Sequence, residues 1–286
     1  MLEINNLTKI YKGTAALNNI NLSLPSNSVI GIVGPNGAGK TTLLKCITDL
    51  VSSYTGTITI PEHTSVGLVL DDLKAYKNRT LKFNLEYFRL IKGLPNYNIS
   101  LNILKELDFD LDLINRPLKS FSYGMNQKVI TSLSLISNPN IVLLDEPFRG
   151  LDSNSVASFK QLLFKLKSMD KLVLFSSHNL ADIEEICDKV IVINKGNILD
   201  IIDAKVVGDS RNIIFSTSNN TIALEIISSY SPTLANDKIS LTLQNNQWND
   251  VVKLLIDNDI EVLSVNNNST LLDRVHALLR REQNGS

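Results

Sequence analysis

The sequence predicts an α/β protein with a largely parallel central sheet, a partly antiparallel β layer beside it and a smaller α/β appendage at the C-terminal end. Continuous apolar runs with strand character alternate with helical stretches, which is typical of a parallel sheet covered on both faces. A glycine-rich loop joins one of these strands to a helix. After the turn at residues 195–197 the composition shifts toward Asn and Ser, which favours a second, smaller domain.

The individual strands and helices are predicted from hydrophobic periodicity and turn residues. Short β-like runs surround the loop at residues 2–7, 17–24, 29–33, 56–60 and 66–70, and the first two suggest the antiparallel layer. Helices are predicted at residues 81–91 and 101–107. A second α/β stretch has buried strands at 141–144 and 172–175 and helices near 155–167 and 180–188.

We expect two domains, residues 1–207 and 208–286, with a helical subdomain at about residues 72–136 in the first. In the second domain, candidate strands lie at 212–216 and 239–244. Residues 271–279 have the apolar spacing of a helix with one buried face. The appendage should therefore alternate strand and helix.

The glycine-rich loop has the complete spacing G-x-x-x-x-G-K-[ST] between an apolar strand and a helix. Glycine lets the backbone curl so that its N–H groups surround a phosphate. Lys40 would reach the β and γ phosphates, and the Thr41 hydroxyl would bind Mg²⁺. The loop residues that we expect to contact the nucleotide are Gly34, Pro35, Asn36, Gly37, Ala38, Gly39, Lys40, Thr41 and Thr42. The alternative is a turn that merely joins strand to helix.

A second half-site is predicted where the apolar run 141–144 ends in Asp145 and Glu146. Ligands of parallel sheets usually bind at this carboxyl edge. Asp145 would hold Mg²⁺, and Glu146 would orient and deprotonate the water that attacks the γ phosphate. The alternative is an acidic turn that caps the next element.

His178 follows the buried strand 172–175 on the same predicted edge, which favours a role at the γ phosphate over a structural hydrogen bond. Ser122 and Gly124 precede a predicted helix, and on their own they indicate only a helix cap.

The composition limits the function classes. A hydrophobic content of 43% suits a globular core, and a net charge of −1 disfavours a nucleic-acid partner. The absence of a long apolar run and of a signal-peptide pattern predicts a cytosolic chain. Cys46 and Cys187 have no metal or redox spacing, so each is predicted to be a buried thiol.

The chain resembles an ABC ATPase over about residues 1–205, because five motifs occur in the order of that family. They are the phosphate loop, the Ser-x-Gly helix start, the Asp-Glu strand end, the Gly150-Leu151-Asp152 turn and the strand-end His178. The resemblance implies a P-loop NTPase fold with a mixed sheet core, an antiparallel β layer and a helical subdomain. It also implies a head-to-tail dimer around two Mg-ATP molecules. Ser122 and Gly124 would then contact the ATP held by the second copy, and Tyr11 would stack on adenine.

The chain departs from the family pattern in two places. The usual signature Leu-Ser-Gly-Gly-Gln is replaced by Phe121-Ser122-Tyr123-Gly124-Met125. Asp71 stands where the family has a Gln that meets Mg²⁺, so we expect Asp71 to serve as a shorter, charged metal ligand. Together, the acidic residue, the Ser-x-Gly-Met signature and the α/β tail resemble those of drug-export and lantibiotic self-protection ABC ATPases, which pair with separate membrane proteins.

The resemblance implies a cytoplasmic ATPase subunit, held at the inner face of the membrane by a separate permease and exporting antimicrobial peptides or drugs. An alternative is a soluble regulatory ATPase that signals by ATP-driven dimerisation. A translation or repair ATPase is disfavoured, because those proteins usually carry two ATPase units or a long coiled coil.

Overall fold

The computed structural model describes residues 1–70, 75–204, 210–244 and 247–284. The chain divides into two compact units, Met1–Ile201 and Ile202–Ser286. The domain boundary predicted between residues 207 and 208 falls outside the described residues.

The first unit contains the following β-strands and α-helices. In chain order these are β1 (Leu2–Tyr11), β2 (Thr14–Leu24), β3 (Ser28–Val33), α1 (Lys40–Ile47), β4 (Thr55–Thr59), β5 (Val66–Val69), α2 (Leu81–Ile91), α3 (Asn98–Glu106), α4 (Tyr123–Ser134), β6 (Ile141–Leu144), α5 (Ser153–Ser168), β7 (Leu172–Ser177), α6 (Leu180–Ile186), β8 (Lys189–Asn194) and β9 (Asn197–Asp203), which ends just inside the second unit.

The central sheet has six strands in the order β5-β6-β7-β3-β8-β9. From β5 to β8 in this order, each strand is parallel to the next. Every residue of β3, β6 and β7 is buried, as expected for strands covered on both faces. Because Val33 pairs with Ser177 and Leu144 with Phe175, the carboxyl ends of these three strands meet at one edge.

A separate antiparallel sheet has the order β2-β1-β4. Its apolar residues join those of β3 and α1 in one buried cluster, which includes Leu2, Ile4, Leu17, Ile32 and Leu43. The antiparallel layer predicted from the first two strands is confirmed.

Helices α2, α3 and α4 surround a core of their own. Its buried members are Leu81, Leu85, Leu104, Phe109, Leu118, Phe121, Val129 and Leu133. The Thr80 hydroxyl caps α2 by accepting a hydrogen bond from the Phe83 amide. Ser122 caps α4 in the same way through the Met125 amide at 3.2 Å.

Both cysteines are free and buried in the first unit. Burial raises the pKa of the Cys46 thiol to about 11. It also raises the pKa of Cys187, whose Sγ would lie 2.9 Å from a Cβ placed on Gly31. These thiols are therefore packing residues.

The second unit is the predicted α/β appendage. Its elements are β10 (Ser210–Thr217), α7 (Asn220–Ile226), β11 (Thr233–Ala235), β12 (Lys238–Gln244), α8 (Gln247–Ile256), β13 (Val262–Ser269) and α9 (Thr270–Asn284). The strands form an antiparallel sheet in the order β11-β12-β10-β13. Phe215, Ile239 and Leu241 of this sheet share a core with Val251 and Leu255 of α8.

Phe215 is fully buried, and its ring meets Trp248 edge to face with a centroid distance of 5.1 Å. Phe215→Ala should lower the free energy of unfolding of this unit by about 3–5 kcal/mol, because it removes apolar contacts and leaves a cavity. Trp248 is the single tryptophan of the chain, so its fluorescence during urea denaturation follows this unit specifically.

The matched control is Leu234→Ala in the same unit, where the side chain is 50% exposed and the expected change is within about 0.5 kcal/mol. Equal shifts of the Trp248 transition in both variants would contradict the placement of Phe215 in the core.

Candidate functional site

The loop between β3 and α1 needs glycine because the protein itself fills the space that a side chain would occupy. A Cβ on Gly34 would lie 2.1 Å from the Ile193 carbonyl oxygen. Gly39 has a φ of 110°, and a Cβ there would lie 2.5 Å from the Ala16 carbonyl oxygen. Because glycine has no Cβ, the loop can pass this close to β2 and β8.

Helix α1 begins directly after Gly39, which offers no side-chain cap. The first amides of a helix have no intrahelical partner, and they carry the positive end of its dipole. Such a terminus binds anions. The loop and the start of α1 therefore form a phosphate-binding geometry.

Lys40 is 7% exposed and is held by the loop itself. Its Nζ donates to the carbonyl oxygens of Gly34 at 2.7 Å and Pro35 at 3.2 Å. Burial lowers the pKa of the Lys40 ammonium, and the Glu146 and Asp145 carboxylates oppose that shift.

Asp145 lies directly after β6 and is held by two hydroxyl groups. Thr41 donates to its Oδ2 at 2.8 Å, and Ser176 donates to its Oδ1 at 2.7 Å. A carboxylate beside a hydroxyl suits Mg²⁺, which prefers oxygen ligands and usually takes only one or two carboxylates from the protein. Among the described residues no group of three or more His, Cys, Asp or Glu could hold a metal. By its chemistry, the pair of Thr41 and Asp145 fits a Mg²⁺ ion.

Glu146 contacts cationic or polar groups on three sides. Its backbone has a φ of 49°, which is uncommon for a residue other than glycine. Its amide donates to the Ser176 Oγ at 2.9 Å, and its Oε1 lies 3.9 Å from the Lys40 Nζ. Its Oε2 accepts from the Nδ1 of His178 at 2.6 Å. The carboxylate is thus directed by Lys40 and His178, and the backbone amide is held by Ser176.

A cavity of about 410 Å³ opens at this point. It is lined by Asn36, Glu146, Arg149 and His178. The His178 side chain is 62% exposed, whereas that of Glu146 is only 22% exposed. A carboxylate and an imidazole therefore face a polar opening next to the phosphate loop.

Of the residues proposed from the sequence, the structure brings together Asn36, Lys40, Thr41, Asp145, Glu146 and His178. Sequence reasoning missed Ser176 and Arg149. The signal for Ser176 was a small polar residue at the end of an otherwise apolar strand. Arg149 gave no signal, because it lies three residues beyond Glu146 in a turn.

The described contacts of Ser122 and Tyr11 are with residues near them in the chain. Ser122 makes its described hydrogen bonds within the start of α4. Tyr11 is 44% exposed, and the Lys9 ammonium lies 4.8 Å from the centre of its ring. Asp71 is outside the described residues, so the structure does not place it.

The family model for ABC transporters matches residues 17–149, which include the phosphate loop, Asp145 and Glu146. The lantibiotic transport ATP-binding protein SrtF of Streptococcus pyogenes is 32% identical over 206 residues, or 70% of this chain and 89% of SrtF. An ABC transporter ATP-binding protein of Bacillus subtilis, YcbN, is 30% identical over 298 residues and matches 96% of this chain and 94% of its own length.

The fold resembles the dimeric post-hydrolysis structure of the ATP-binding cassette MJ0796 bound to ADP and Pi. The TM-score is 0.65 with 25% identity, over 71% of this chain and 99% of that chain. The site geometry, the family model and these relatives agree, so the chain belongs to the ATP-binding proteins of the ABC transporter family and is an ATP hydrolase of that family.

Proposed function

We propose that this chain is the ATP-hydrolysing subunit of an exporter of antimicrobial peptides or drugs and that it works as a dimer attached to a separate membrane permease. The main evidence for an ATPase site is a cluster of side chains at one edge of the central sheet. Its members are Lys40, Thr41, Asp145, Glu146 and His178. The similarity to SrtF, which is named for lantibiotic transport, supports the class of cargo.

ATP binding is assigned to the loop and to the start of α1. The unpaired amides of the first helical turn would bind the phosphates, and Lys40 would exchange its carbonyl partners for the β and γ phosphates. Thr41 and Asp145 would hold Mg²⁺, which supplies positive charge to the phosphate oxygens. The exposed face of Tyr11 would stack on the adenine ring.

Hydrolysis is assigned to Glu146 and His178. Glu146 would accept a proton from the water that attacks the γ phosphate, and the bond to the β-phosphate oxygen would break to release ADP and phosphate. His178 fixes the orientation of the Glu146 carboxylate through its Nδ1 contact and lies beside the same cavity. General-base catalysis of this kind contributes about 10²–10⁴-fold to the rate.

Dimerisation would complete each site. In a head-to-tail dimer, Ser122, Gly124 and the N-terminal amides of α4 would reach the γ phosphate of the ATP bound to the other copy. We assign residues 1–207 to this ATP-binding domain, with the helical subdomain at about 72–136, and residues 208–286 to an accessory domain. Asp71 would add a ligand to Mg²⁺.

No helix within the described residues is long and apolar enough to cross a bilayer. In this proposal the chain lies on the cytoplasmic side of the membrane, and the permease provides the membrane-spanning part.

Replacing Lys40 by Ala should weaken ATP binding at least about tenfold, because the phosphates lose a charge-assisted hydrogen bond. Isothermal titration of the purified chain with ATP measures this change. Lys45→Ala, on the same helix, is the control and should retain normal affinity. Unchanged ATP affinity in the Lys40 variant would contradict the assignment of the loop.

Glu146→Gln should reduce kcat by about 10²–10⁴-fold while ATP binding persists, because an amide cannot accept the proton from water. Steady-state phosphate release measures kcat, and size-exclusion chromatography with Mg-ATP should show an accumulated dimer. The control is Glu185→Gln, which changes a carboxylate that is 65% exposed and paired with Lys160. Wild-type turnover in the Glu146 variant would remove that residue from the reaction.

Co-purification distinguishes a transporter subunit from a soluble regulator. A tagged chain that is extracted from its native membranes in mild detergent should retain a multi-span protein and should lose it in high salt or after denaturation. Recovery alone, or with soluble proteins only, would favour the regulatory alternative. Deleting the gene of the co-purified multi-span protein should also sensitise cells to the exported compound if the proposed class of cargo is right.

A further inference from the structure

Ser176, at the carboxyl end of β7, lies beneath the proposed reaction site and is fully buried. Its Oγ donates to the Asp145 Oδ1 at 2.7 Å and accepts from the Glu146 amide at 2.9 Å. A serine hydroxyl has a single proton to donate and lone pairs to accept with. One hydroxyl therefore contacts both consecutive acidic residues of the site.

The backbone explains why a side chain is needed here. The ladder between β6 and β7 ends where Leu144 pairs with Phe175. The Asp145 amide then bonds to the Val69 carbonyl of β5 at 3.0 Å. At Glu146 the chain turns into the left-handed region, with a φ of 49°, and its amide is taken by the Ser176 hydroxyl instead of a strand carbonyl.

We propose that Ser176 is a positioning residue for ATP hydrolysis, an inference that rests on the proposed roles of Asp145 and Glu146. By holding Oδ1, Ser176 leaves the other carboxylate oxygen of Asp145 directed at Thr41. By holding the Glu146 amide, it stabilises the turn that places the Glu146 carboxylate between Lys40 and His178. It also joins the end of β6 to β7, the strand that His178 follows.

The expected effect follows from the charge of the groups involved. A hydrogen bond to a charged group is stronger than one between neutral groups, and a buried donor left without a partner is costly. Loss of the hydroxyl frees the Asp145 carboxylate to rotate and leaves the Glu146 amide unpaired. The proposed base and the proposed metal ligand are then misplaced, whereas the loop that binds the phosphates is intact.

The first test is Ser176→Ala in the full chain. We expect kcat to fall about 10- to 100-fold, while the Kd for ATP without Mg²⁺ changes less than about threefold. The Mg²⁺ concentration that gives half-maximal activity should rise. The control is Ser100→Ala, another fully buried serine, whose hydroxyl bonds the Ser132 carbonyl at 2.8 Å. Its kcat should match that of the wild type.

The second test separates the hydroxyl from the volume of the side chain. Ser176→Thr and Ser176→Val add nearly the same bulk, but only the first retains a hydroxyl. We expect kcat of the Thr variant to be at least about tenfold higher than kcat of the Val variant, because the added bulk should affect both variants equally. Thermal unfolding of both variants shows whether their folded fractions match.

Equal kcat values in the Thr and Val variants would overturn the proposal. So would a kcat loss in Ser176→Ala that is no larger than the loss in Ser100→Ala. These outcomes differ from failure of the proposed function, in which the wild-type chain itself would show no Mg-dependent ATP hydrolysis.

Discussion

The hydrogen bond between Thr41 and Asp145 connects the two parts of the site, and most of the architecture serves to make it possible. Thr41 follows β3, and Asp145 follows β6, yet these strands are not neighbours, because β7 lies between them. Two strand spacings in a sheet amount to about 10 Å. The loop after β3 and the side chain after β6 must therefore meet above the end of β7, which finishes in the small residues Ser176 and Ser177.

This arrangement also accounts for the enclosed charges. Lys40 is buried and Asp145 and Glu146 are partly buried, so each would be costly to enclose without a partner. Here Lys40 is bonded to loop carbonyls, Asp145 to two hydroxyls and Glu146 to His178. The left-handed backbone at Glu146 adds strain, which the surrounding hydrogen bonds hold in place. These contacts hold the charged side chains of the site in one defined arrangement.

Local patterns made the centre of the site predictable. The phosphate loop is a contiguous motif, and Asp145, Glu146 and His178 each stand at the end of an apolar run that reads as a buried strand. Ser176 and Arg149 could not be found in this way, because their importance depends on the order of the strands and on the path of a turn. The roles assigned to Tyr11, Ser122 and Gly124 require a bound nucleotide and a second copy of the chain. They therefore stay predictions.

The two buried thiols have a practical consequence. Cys46 and Cys187 are the only cysteines of the chain, and both are inaccessible and poorly ionised. Thiol-directed reagents need the exposed thiolate. A cysteine introduced at a surface position would therefore be the sole attachment point for a fluorophore or spin label on the native fold, so that distances across an assembled complex could be followed without first removing the natural sulfhydryls.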